Sequence, residues 1–114
     1  MDAVITQLAG LTAALNAAAA ESPRGVAVQW LTSPNDRLRI AGVGLTAGSE
    51  LAEHDNPGDA VLQVLSGAVT VFASGDEVDV LADEILELPH ARHRVVALGP
   101  STLLLIQVVR DSVD

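Results

Sequence analysis

The chain has 114 residues, 49% hydrophobic but only 2% aromatic, with one Trp, one Phe and no Tyr. That length suits one domain, and so apolar a composition excludes disorder. Fifteen acidic against six basic residues give a formal charge of −9, which excludes a nucleic-acid partner and otherwise serves solubility.

The core must be assembled from Val, Leu, Ile and Ala, which suits short strands of β-branched residues. With no Cys, neither disulfides nor thiolate ligands enter the argument. No apolar run reaches the ~18 residues of a membrane span. No basic region precedes an apolar one at the start, so a signal peptide is not expected. The expected compartment is the cytoplasm, with no membrane partner.

In chain order, residues 2–20 read as a helix: Ile5, Leu8, Leu11 and Leu15 recur at intervals of three and four. The Ala17–Ala20 run adds helix propensity, and Ser22-Pro23-Arg24-Gly25 stops it. So thin a stripe needs a surface to lie on, either the rest of the domain or a partner subunit. Residues 1–22 are thus a helical segment and residues 25–110 the body.

Everything after Gly25 reads as strands: 25–31, 37–46, 50–54, 61–65, 69–73, 78–81, 84–88, 93–98 and 102–109, with Gly, Pro, Asn, Asp or Ser at the breaks. Nine short strands after one helix predict an all-β sandwich or barrel. Gly42 and Gly44 alternate within one of them, leaving a track where a ligand or another backbone can approach.

The densest signal is the run Gly48 to Gly67. His54 follows Gly48 by six residues, Asn56 follows His54 by two, Ala60 comes four later, and Gly67 closes the run. A second run opens at Ala82 and reaches His93 eleven residues on, with Pro89 and His90 between them and Ala97 beyond. Together they resemble the two motifs of the cupin superfamily, G-x5-H-x-H-x3-E-x6-G and G-x5-P-x-G-x2-H-x3-N. The resemblance covers residues 25–110 and implies a jelly-roll barrel, commonly dimeric.

Cupins with full motifs bind a metal through three His and one Glu. Here only His54 and His93 keep ligand-type residues, Asn56 stands in a His position and Ala60 in the Glu position. His90 is the candidate third ligand, although its place after Pro89 also suits a solvated loop. The resemblance therefore implies at most one weakly held divalent transition metal (Zn, Fe, Mn, Ni or Cu).

Asn56, Trp30 and Arg92 are the candidate ligand-binding residues. Trp30 could stack a ligand or serve a core or interface. The alternating pairs Arg37/Arg39 and Arg92/Arg94 suit an acidic small molecule if either points inward. No nucleophile elbow, zinc-protease motif or phosphate loop is present. Three readings follow. The first is a small-molecule-binding cupin around two His residues, the second a metal-dependent oxygenase or isomerase, and the third a structural or regulatory homodimer with an unused pocket.

Overall fold

The computed structural model describes residues 3–54 and 58–109, and the side chains of all of these except Glu53 and His54. After helix α1 (Leu8–Glu21) come β1 (Val26–Trp30), β2 (Leu38–Leu45), β3 (Glu50–His54), β4 (Gly58–Ser66) and β5 (Ala68–Ala73). Then follow β6 (Asp76–Leu81), β7 (Ile85–Glu87), β8 (His93–Ala97) and β9 (Ser101–Val109). All nine expected strands are present, each within three residues of its expected bounds.

The strands form two antiparallel sheets, one of order β1-β2-β9-β4-β7 and one of order β3-β8-β5-β6. Alternation along each strand sends every second residue between the sheets. From the larger sheet these are Val43, Leu45, Ala60, Leu62, Val64 and Leu103; Val69, Val71, Val80, Val95 and Ala97 come from the smaller. This sandwich interior is almost wholly aliphatic, as the composition requires. Burying a Val or Leu side chain there contributes roughly 1.5–3 kcal/mol.

A second, smaller cluster lies on the outside of the larger sheet, where Leu11 and Leu15 of α1 meet Leu104. The helix starts at Leu8 rather than at residue 2, and Ile5 is 92% exposed. Only Leu11, Leu15 and Ala19 are buried in the helix. An end without apolar cover lacks the packing that supplies most helix stability in proteins.

The glycine track is where this helix lies. A Cβ on Gly42 would stand 2.9 Å from Leu15 Cδ1, and one on Gly44 would strike the Leu15 carbonyl. Thr102, beside Gly44 in the sheet, donates its hydroxyl to Asn16 Oδ1 at 2.9 Å and fixes the helix further. Among the described residues no helix is long and apolar enough to cross a membrane.

Candidate functional site

The inner face of the larger sheet is not filled everywhere. Register places Trp30 beside Ala41, Ala41 beside Leu105 and Leu105 beside Leu62 on that face. The next inner row runs Arg39, Gln107, Ala60. Between β1 and β3, which share no ladder, a recess of about 260 Å3 opens into this surface. Val28 and Trp30 line one side, Leu51 and Ala52 the other, and Ala41, Val43, Leu105 and Gln107 the floor. Trp30 remains 46% exposed at its rim.

Gln107 is the polar side chain in this lining, and no motif points to it. A signal was available: within the apolar run Leu103-Leu104-Leu105-Ile106-Gln107 it has the parity of Leu103 and Leu105, both of which face inward. Directly beside it stands Ala60, in the position where the resembled motif carries a carboxylate. An amide thus lies next to the missing acid, on the neighbouring strand.

His93 opens β8 and is 1% exposed. Its Nδ1 lies 3.1 Å from the Ala91 carbonyl. A carbonyl only accepts, so Nδ1 carries the proton, and in the neutral ring Nε2 is then the basic nitrogen. That nitrogen is shut off from solvent. Across the ladder, the cross-strand partner of His93 is His54. A bulge between Leu51 and His54 sets this register, since Leu51 still pairs with Val95. The backbone therefore brings the two predicted imidazole-bearing residues side by side. The His54 side chain and all of Asn56 lie outside the described residues.

The other predicted residues stand elsewhere. His90 Nε2 is 3.0 Å from Asp59 Oδ1 in a pair more than half exposed on both sides. That pair holds the loop after β7 against the start of β4, so His90 does not join His93. Arg92 is exposed and lines an open groove with Phe72, Asp76, Glu77 and Arg94. There Arg94 stacks 4.4 Å over the Phe72 ring and reaches Glu50 Oε2 at 3.3 Å. Trp30 and Arg92 thus belong to separate concavities.

A cupin metal would need donors here, and at the motif positions the described side chains are His93 and Ala60. Among the described residues no three His, Asp or Glu converge, and Ala60 contributes only a methyl group. His54 and His93 together would still supply two imidazoles and no charge to offset a divalent cation.

Comparison with solved structures shows the same fold. A cupin superfamily protein from Desulfitobacterium hafniense matches with a TM-score of 0.71 and 22% identity, over 75% of this chain and 78% of that one. A conserved protein of unknown function from Streptococcus pyogenes matches at 0.72 and 23%, over 80% of each chain. Salicylate 1,2-dioxygenase from Pseudoaminobacter salicylatoxidans, in a structure of adducts with gentisate, matches at 0.66 and 22%, over 77% of this chain and 26% of that enzyme. No protein-family model and no curated protein matches the chain. The two antiparallel sheets thus have the cupin fold, and in this chain one helix precedes them.

Proposed function

We propose that this chain is a small-molecule-binding cupin whose ligand occupies the recess between β1, β2, β3 and β9. The observation that carries this reading is the lining itself, an apolar pocket with one amide, Gln107, and one indole, Trp30. Few polar groups among apolar walls are the usual make-up of a ligand site. Its volume of about 260 Å3 lies just under the usual range of roughly 300–1,000 Å3, which favours a compact molecule. Arg39 pairs with Gln107 across the ladder but lies outside the lining, its Nε donating to the Asp36 carbonyl at 2.8 Å, so a ligand carboxylate would meet the amide within the recess and the guanidinium only beyond it.

The test uses Trp30, the one tryptophan of the chain. Small carboxylic acids are titrated against the metal-free protein while indole fluorescence and melting temperature are followed. A ligand at a hundred times its Kd stabilises by about 2.7 kcal/mol. A saturable response that Ala41→Leu abolishes supports the reading. No response across aliphatic and aromatic acids sinks it.

Metal analysis of protein purified without chelator decides the competing reading. Near-stoichiometric metal that disappears in His54→Ala and His93→Ala would favour the oxygenase or isomerase class over metal-free binding.

A further inference from the structure

We infer that the chain binds a small organic cation, an ammonium group on a compact apolar body, in a second recess between β6 and β7. These two edge strands belong to different sheets and share no ladder. Val78 and Val80 face the same side of β6, since residues two apart in a strand do so. Yet Val80 is 4% exposed and Val78 46%, so the two sheets part toward the hairpin that joins β5 to β6. The cause lies in β7, which is only three residues long. Leu88 N still donates to the Ala60 carbonyl of β4, but Pro89 follows and has no amide to extend the ladder.

The gap left there is a recess of about 220 Å3. Val71, Ala73, Val78, Leu86 and Pro89 make its walls, and the exposed Ser74, Asp76 and Glu77 form its mouth. An aliphatic cavity with a few polar groups at one end is the usual make-up of a ligand site.

The charge at the mouth selects the ligand. No basic residue is among the described residues of the lining. Asp76 and Glu77 have no ion-pair partner among the described residues. Both also border the groove that holds Arg92 and Arg94, but Arg94 is directed to Glu50 and Phe72. His90, next to Pro89, is directed to Asp59. An anion would meet two carboxylates here on a chain of charge −9. An ammonium ion meets complementary charge, and it keeps its head in water at the mouth while its carbon body lies along the aliphatic walls. The recess beside Trp30 has the opposite bias, because the charge that lies beyond its lining is the Arg39 guanidinium. The two flanks of the sandwich thus suit ligands of opposite sign, and neither site depends on the other.

Benzylammonium, benzyl alcohol and benzoate share one ring and differ in charge, so they are the probes. Each is titrated against protein with isotope-labelled Val and Leu methyl groups. Benzylammonium should shift the methyl signals of Val71, Val78 and Leu86 saturably. It should bind roughly fivefold tighter than the alcohol, the reach of an exposed ion pair, with benzoate the weakest of the three. Asp76→Asn combined with Glu77→Gln alters only exposed side chains and should leave the rest of the spectrum unchanged. It should abolish the preference for the amine while the alcohol binds as before. No saturable shift at these methyls overturns the proposal, as does equal binding of amine and alcohol or a preference that survives the double substitution. Shifts confined to Val28, Val43 and Leu51 would place the probe beside Trp30 and overturn it equally.

Discussion

On its outer face β2 carries Gly42 and Gly44, and Leu11 and Leu15 of α1 occupy the space they leave. On its inner face the same strand carries Ala41 and Val43, which instead floor a recess of about 260 Å3. Both faces are built from small residues, and they differ in what lies across from them. Outside, a helix is anchored by the Thr102–Asn16 hydrogen bond. Inside, β1 and β3 part without pairing. Small side chains make close packing where another element can follow them in, and they make a cavity where the sheet edges diverge.

The sharpest way to break this comparison is to enlarge one residue on each face. Gly44→Val drives a side chain into the Leu15 carbonyl, and backbone cannot yield as a flexible side chain does. Overpacking of this kind costs about 3 kcal/mol, a fall of about 10 °C or more in melting temperature. Thermal unfolding checks it, and a variant as stable as wild type would show that α1 does not lie on this strand. Next in size is Thr102→Val. It removes the hydroxyl held by Asn16, but Asn16 is half-exposed and can turn to water, so the loss should be about 1 kcal/mol by denaturant titration.

Ala41→Leu sharpens the other side. Its added atoms enter the recess rather than a packed core, so stability should move by less than about 1 kcal/mol. Ligand binding followed through Trp30 should nevertheless disappear. Large destabilisation with binding retained would mean that the recess closes in solution and that the ligand site lies elsewhere.

Most of the architecture was readable in the chain because alternation, turn residues and the spacing from Gly48 to Gly67 all point the same way. The start of α1 was not readable, since Ile5 and Leu8 continue the spacing of Leu11 and Leu15. Spacing does not say how far the sheet extends beneath the helix. The glycine track was recognised as a close approach, but alternation alone could not choose between a ligand and a helix. At the site, motif spacing placed His54 and His93, and the ladder makes them neighbours. Gln107 was missed because no motif covers it. It belongs to the inner row only through pairing with Arg39 and Ala60, residues far away in sequence. His90 is the converse case: three residues from His93 along the chain, yet carried outward by the loop after Pro89.

The smallest effect separates position from contribution at that loop. His90 and Asp59 are 3.0 Å apart, but both side chains are more than half exposed. Water competes for each, and fixing the pair costs side-chain entropy, so exposed ion pairs contribute between nothing and about 1 kcal/mol. His90→Ala should therefore lower stability by no more than about 0.5 kcal/mol. It should leave any metal content unchanged, whereas His93→Ala removes a ring enclosed in the interior. Elemental analysis of the two variants side by side is the check. A metal lost equally from both would mean that His90 leaves Asp59 and turns inward, making the loop after β7 part of the site.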